Sequence, residues 1–410
     1  MPNTPITRRD AIGLLAAIPF AARMSPQAAP LPKWRRVALG NFHGLLLEPD
    51  GTLKSWSTGI TPNNKGELGL GHADPVEPFK LYTVPGLTSV VAVGATWNTS
   101  FAVLADGRTL AWGERSEMLG TTPLSYVEVY ADSGPQAKGP TPVAARFDAV
   151  DISVGGGHVL ALARDGTVWA WGDGRKGELG IGDLPIINFK THTPSAMTFV
   201  PYPVQIPGLT NVVAVRAGSD YGMALLKDGT IRTWGGNKLG QLGDGTTTDR
   251  HTPVNVPLIG KVAAIAATDG SAVLLEDGRV LGWGGAALGR PILYDHTGDI
   301  VSVPTLIPGV ANGRALAVGS GHCLLLTPTG TVISWGLNQY HQLGHGGFTQ
   351  LGLAAAPVTG LSGVHSVTAR TYASIAVLED GRIMNWGVGY GSTGDSRTPV
   401  LLKVDGLDNG

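Results

Sequence analysis

A dipeptide ending in glycine, with tryptophan five residues further on, recurs seven times along the chain. The pairs are Gly51 with Trp56, Gly107 with Trp112, Gly166 with Trp171, Gly229 with Trp234, Gly278 with Trp283, Gly330 with Trp335 and Gly381 with Trp386. Successive glycines lie 49 to 63 residues apart. Self-similarity at such a period marks a stack of supersecondary units, because each unit leaves an apolar face that only a neighbour can cover. The chain is therefore one repeated body, not several unrelated domains.

Each dipeptide sits between two short apolar runs, as where Met223 to Leu226 precedes Asp228-Gly229 and Ile231 to Trp234 follows. This is a hairpin pattern, and Asp-Gly predicts a two-residue primed turn. The sixth repeat places Thr329 before Gly330. An apolar segment ahead of the hairpin (Val212 to Val215) and a Pro-Val segment behind it (Pro253 to Val256) bring each unit to four antiparallel strands. Helical spacing with caps is absent from stretches of ordinary length.

On the third strand the tryptophans share one face, and the residues just before them (Ser55, Ala111, Ala170, Thr233, Gly282, Ser334 and Asn385) share the other. Large rings on one side and short side chains on the opposite side predict close stacking, ring of one unit against the shallow face of another. A buried indole hides about 150 to 250 Å², or about 4 to 6 kcal/mol gross.

A Gly-rich turn with a leucine follows the tryptophan, as in Gly66-Glu67-Leu68-Gly69, Gly177-Glu178-Leu179-Gly180, Gly240-Gln241-Leu242-Gly243 and His341-Gln342-Leu343-Gly344. Together with Gly-x-x-His segments at 40–43, 155–158 and 319–322, the pattern resembles the regulator of chromosome condensation family over residues from about 37 to 407. Thr99, Tyr221, Gly270 and Ala373 occupy the histidine slot in the other repeats. The resemblance implies an all-β seven-bladed β-propeller with four antiparallel strands per blade. It carries two functional precedents: nucleotide exchange on the small GTPase Ran by nuclear members, and capping of β-lactamases by secreted ones.

Sixty glycines, 28 prolines and 15% charged residues fit an all-β body of many tight turns. Thirty basic against 31 acidic side chains leave a net charge of −1, which lacks the electrostatic footprint of phosphate-backbone binding and argues against nucleic acid as partner. The basic run Lys33 to Arg36 is expected to be solvated. Residues 1–30 fall outside the repeat; residues 31–410 are assigned to the propeller. Thr7-Arg8-Arg9-Asp10 ahead of the uncharged stretch Ala11 to Ala22 has the form of a twin-arginine export signal, although Ala11 stands where such signals usually carry phenylalanine. Twelve residues are too few to span a bilayer, so no integral membrane span is expected. Periplasmic or secreted protein is the expectation, with a ragged cytoplasmic terminus as the alternative. The single cysteine, Cys323, excludes an internal disulfide and is expected to be a buried thiol.

The residues offer no catalytic constellation. There is no Gly-x-Ser-x-Gly, His-Glu-x-x-His or Walker-type loop. His43, His158 and His322 share a repeat position, which spreads them around a ring instead of converging on a metal; each is expected to close a hydrogen bond within its own blade. The turn aspartates Asp50, Asp106, Asp165, Asp228, Asp277 and Asp380 are expected to bond their own backbone. No catalytic residue, metal or cofactor is assigned.

Departures from the repeat carry the individuality. Insertions at 121–141 and 183–202 lengthen the second and third units, and propeller insertions often emerge on the binding face. They hold Tyr126, Tyr130, Phe189, His192, Phe199 and Tyr202, types favoured at interface hot spots; pinning the loops to the rim is the alternative role. Non-enzymatic recognition of another protein through these loops is the first reading. Guanine-nucleotide exchange on a small GTPase is the second, and an extracellular polymer-acting enzyme with an axial site is the third.

Overall fold

The computed structural model describes residues 35–59, 63–114, 116–120, 137–144, 147–183, 199–285, 300–347, 349–391 and 395–407. Among them lie seven four-stranded antiparallel sheets, each built from four consecutive strands. The blades span 36–83, 90–142, 149–205, 212–255, 262–306, 315–357 and 364–401. The single helix among the described residues is the one-turn Ser116–Leu119. No helix among them is long and apolar enough to cross a membrane.

The hairpin between the second and third strands differs from the primed turn expected from Asp-Gly. In the first blade the Gly51 N–H donates to the Glu48 carbonyl at 3.0 Å, and the Glu48 N–H donates to the Thr52 carbonyl at 2.9 Å. Three residues therefore make the loop, and only the glycine takes a positive φ, +82° at Gly51. That is a type I turn closed by a glycine bulge, which asks one left-handed residue of the chain where the primed turn asks two. The aspartate side chain secures the turn: Asp50 Oδ1 accepts the Thr52 N–H at 2.8 Å, Asp228 accepts that of Thr230 at 2.9 Å and Asp380 that of Arg382 at 3.0 Å. These backbone donors hold the Asp50 and Asp380 carboxyls below the usual range. In the sixth blade Thr327 Oγ1 takes over, accepting the Thr331 N–H at 3.2 Å.

All seven ladder indoles are buried, and they point backward to the preceding blade. Nε1 of Trp112 donates to the Glu67 carbonyl at 3.0 Å, Trp171 to Met118 at 2.6 Å, Trp234 to Glu178 at 2.8 Å and Trp283 to Gln241 at 2.9 Å. Trp171 clusters with Ala111 of the blade before it, and Trp234 with Ala170, so rings do stack on the shallow face of a neighbour. The residue before the tryptophan has a further task. Ser55, Thr233 and Ser334 donate their hydroxyls to the leucine carbonyls of their own Gly-Leu turns, Leu68 at 2.8 Å, Leu242 at 2.8 Å and Leu343 at 2.7 Å. Each such turn is thus held by its own blade at one carbonyl and by the next blade at the carbonyl before it.

Two of the three slot histidines, His43 and His322, bond across the seam, a correction to the intrablade bond expected, and neither ring nitrogen of His158 has a hydrogen-bond partner among the described residues. His43 Nε2 lies 2.7 Å from Ser100 Oγ of the second blade, and that hydroxyl donates to Glu67 of the first at 2.9 Å. His322 does the same with Ser374 at 2.9 Å, whose hydroxyl reaches the Gln342 carbonyl at 2.9 Å. Tyr221 substitutes for histidine with Ser271 at 2.7 Å. The slot lies at the start of the second strand, where the ring reaches the adjacent sheet more readily than its own. Burial pushes His43 and His322 down to about 3 and His158 to about 4. Cys323 is buried and its thiol is pushed upward for the same reason.

Those shifts have a sign. A histidine whose folded value lies below its unfolded value near 6.5 binds fewer protons when folded, so its stability is complete above pH 6.5 and is lost as pH falls toward 4. Glu178 opposes this: burial, then the charges of Asp173 and Asp220, raise it to about 7, so its folded form holds a proton that the unfolded form releases above pH 4.5. Three histidines outweigh one glutamate. Urea unfolding is expected to show a loss of about 2 kcal/mol between pH 6.5 and 5.5, and a flat profile would contradict these burials.

The ring closes without exchanging strands, although the chain ends offered that route. Trp56 Nε1 donates to the Tyr390 carbonyl at 2.8 Å, and the Tyr390 hydroxyl donates to Gly40 at 2.7 Å. Val37, Leu39, Leu46 and Trp56 of the first blade share one apolar cluster with Ile375, Val377, Ile383 and Leu402 of the last. The C-terminal segment then runs parallel to residues near the outer edge of the first blade, with Leu81 N–H on the Asp405 carbonyl at 2.8 Å and Asp405 N–H on that of Phe79 at 2.7 Å.

Candidate recognition face and axial channel

In every blade the first strand is innermost and lines the axis. Since the strands alternate in direction, the connections from first to second strand and from third to fourth leave from one face, and the Asp-Gly turns lie on the other. The chain positions bounding both long insertions belong to the first face: Gly113 pairs with Ala137 and Asp173 with Phe199. Tyr126, Tyr130, Phe189 and His192 lie outside the described residues. Phe199 opens the outer strand Phe199–Gln205 of the third blade, and Tyr202 on that strand is 45% exposed.

The described part of this face carries features that the repeat did not disclose. Five of the first-to-second connections have three residues, whereas 97–98 in the second blade and 371–372 in the seventh have two. Trp97 has φ +31° and Thr371 φ +45°. Such left-handed placement costs a bulky or β-branched residue about 1 to 3 kcal/mol and persists where the surroundings impose it. Trp97 is nonetheless 47% exposed. Tyr340, 42% exposed, packs on Tyr372 with ring centroids 4.4 Å apart. An exposed aromatic on a strained backbone, as at Trp97, suits contact with a partner better than it suits the protein's own core. The signal for Trp97 was present in the sequence, since it is one of three tryptophans off the ladder.

Hydrogen bonds run from loop to loop round the mouth. Asn41 N–H donates to the Trp97 carbonyl at 3.2 Å, Gly156 to Ser219 at 3.0 Å, Ser219 to Thr268 at 2.8 Å and Ser320 to Thr371 at 2.8 Å. Thr96 and Thr268 hydroxyls continue the circuit to Gly155 at 3.0 Å and Gly319 at 2.9 Å. Arg370 then reaches from the seventh blade to Thr96 Oγ1 of the second at 2.7 Å. The mouth is thus a preorganised rim, and below it lies a cavity of about 700 Å³ lined by Ser153, Arg216, Thr268, Leu316, Arg370 and other inner-strand residues. Arg36 lies half-buried in the channel wall and donates to the Val91 carbonyl at 3.0 Å, in place of the solvated position expected for the Lys33 to Arg36 run.

The three slot histidines belong to separate blades. Among the described residues no group of three His, Cys, Asp or Glu side chains converges on a point that could hold a metal.

The chain is 31% identical over 246 residues to Protein pim1 of Schizosaccharomyces pombe, a stretch covering 58% of this chain and 43% of that protein. It is 25% identical over 359 residues to the guanine nucleotide exchange factor SRM1 of Saccharomyces cerevisiae, covering 76% of this chain and 71% of the relative. The chain thus spans under half the length of the first of these relatives. The crystal structure of Prp20p from Saccharomyces cerevisiae superposes with a TM-score of 0.65 at 23% identity, over 92% of each chain, and shows the same fold. Residues 10–352 match the RCC1-like domain. With the seven-bladed ring and its Gly-Leu hubs described above, that match places this protein in the RCC1-like domain family.

Proposed function

We propose that this propeller is a non-enzymatic recognition module whose protein partner docks on the face carrying the mouth loops and the insertions of the second and third blades. The observation that carries the reading is Trp97, a large exposed aromatic held in a left-handed conformation at the same mouth as Thr371, also left-handed, with the Tyr340–Tyr372 pair on the same face. The insertion residues Tyr126, Tyr130, Phe189, His192, Phe199 and Tyr202 extend the same surface in this proposal. Paired variants test it: substitution of Trp97 and Tyr340 on this face should abolish partner retention, whereas Ile259→Ser, 69% exposed in the link between the fourth and fifth blades, should leave it intact. The reverse pattern would overturn the docking face.

Nucleotide exchange is the second reading, favoured by the relatives: SRM1 is named an exchange factor, and the Prp20p study concerns its binding to Gsp1p and histones. Release of labelled GDP from Gsp1p distinguishes the two. Acceleration of tenfold or more by this chain would establish exchange, and binding without acceleration would leave recognition alone.

Export through residues 1–30 belongs to the same proposal, supported by Arg8-Arg9 ahead of an uncharged apolar stretch. Replacing both arginines by lysine is expected to retain the chain in the cytoplasm, and fractionation with sequencing of the mature N-terminus reads the outcome. An unchanged distribution would assign the protein to the compartment where it is made.

A further inference from the structure

A second cavity of about 270 Å³ shares Ser153, Val154, Arg216 and residues 367–370 with the first, so the two form one continuous axial channel. Its walls are mostly small and apolar, as expected of inner strands that converge on an axis. Three arginines, Arg36, Arg216 and Arg370, interrupt them, and among the described lining residues Asp151 is the one acid. Arg216 and Asp151 stand 3.6 Å apart, and Asp151 also accepts the Ile152 N–H at 2.9 Å. The channel thus holds two cationic groups beyond what its own carboxylate can balance. At the rim the other charged neighbour of Arg370 is Asp269, which is engaged by the Ser219 hydroxyl.

Arg370 shows that the imbalance is unresolved internally. One terminal nitrogen donates to Thr96, but Nε is shielded from solvent and has no partner in the protein. A buried guanidinium donor left open costs free energy, and its fork geometry suits a carboxylate or phosphate oxygen. Burial also raises the Asp151 carboxyl above its ordinary range, which weakens the counter-charge within the channel.

We propose that the axial channel binds a small organic anion, a carboxylate or phosphate monoester with an apolar body, whose charged group lies between Arg370 and Arg216. The apolar body would rest on Val154, Ala217, Val318 and Val367, and the combined volume is that of a metabolite-sized pocket. Neither the repeat consensus nor docking on the outer face requires this site, so either can fail without the other.

Isothermal titration of the full chain with phenyl phosphate and with benzoate, at constant ionic strength set by chloride, tests the site; benzyl alcohol is the neutral control. Saturable one-to-one binding of at least one anion, with none for the alcohol, is expected. Phenyl phosphate alone would assign a phosphate site, and benzoate alone a carboxylate site. Arg370→Met should weaken binding at least tenfold, Arg370→Lys by less, and Asp151→Asn should tighten it threefold or more. Should Arg370→Met fail to fold, Asp151→Asn decides: unchanged or weaker affinity there overturns the site. Absence of saturable binding to the unaltered protein, or wild-type affinity in a folded Arg370→Met, would likewise overturn it.

Discussion

Trp234→Ala is expected to lower the free energy of unfolding by about 3 to 5 kcal/mol, and Trp234→Phe by about 1 to 3 kcal/mol. The two numbers separate two jobs of one side chain. The alanine variant opens a void between the third and fourth blades, where the indole packs among Leu160, Val168 and Ala170 of the third blade. Phenylalanine fills much of that space but removes the Nε1 donor from the Glu178 carbonyl, now held at 2.8 Å. That carbonyl lies in a buried turn and would lose its partner. Urea unfolding followed by circular dichroism measures both. Equal losses would mean that the ring adds nothing to the seam beyond its N–H bond, a negligible loss in Trp234→Phe would mean that the N–H contributes nothing, and losses below about 1 kcal/mol in both would contradict the stacked-ring description.

Trp97→Gly should produce opposite signs in two measurements. Glycine adopts φ +31° without a Cβ penalty, so stability should rise by about 1 kcal/mol. Partner affinity should fall by about thirtyfold, or about 2 kcal/mol, since an exposed tryptophan is a strong anchor. Thermal unfolding and titration of the retained partner read the two effects. A variant that loses stability while keeping affinity would show that Trp97 serves the rim alone.

Much of the ring is legible in the sequence. The tryptophan column, its shallow opposite face and the four-strand unit follow from alternation repeated seven times, because a feature that recurs at one repeat position must satisfy the same neighbour each time. Turn type was not legible: Asp-Gly suits two hairpin classes, and the choice rests on strand register, Leu47 opposite Leu53. The histidine seam escaped for a related reason. Whether His43 meets a residue of its own sheet or Ser100 of the next depends on blade twist and spacing, which residue order does not contain. The channel arginines were still less visible. Arg36, Arg216 and Arg370 occupy different positions of their strands, and nothing in residue order relates them until the ring brings their strands to a common axis. Tyr202 is exposed, and Trp97 and Tyr340 lie outside the long insertions, in the first-to-second connection of the second blade and the third-to-fourth connection of the sixth.

Cross-linking mass spectrometry of the complex between the full chain and its retained partner tests the recognition face most directly. Cross-links are expected from Lys65, Lys176 and Lys238, which lie in the connections from third to fourth strand on that face, and not from Lys227 or Lys261 beside the Asp-Gly turns. Links concentrated at Lys227 and Lys261 would place the partner on the opposite side and contradict the proposed mode of recognition.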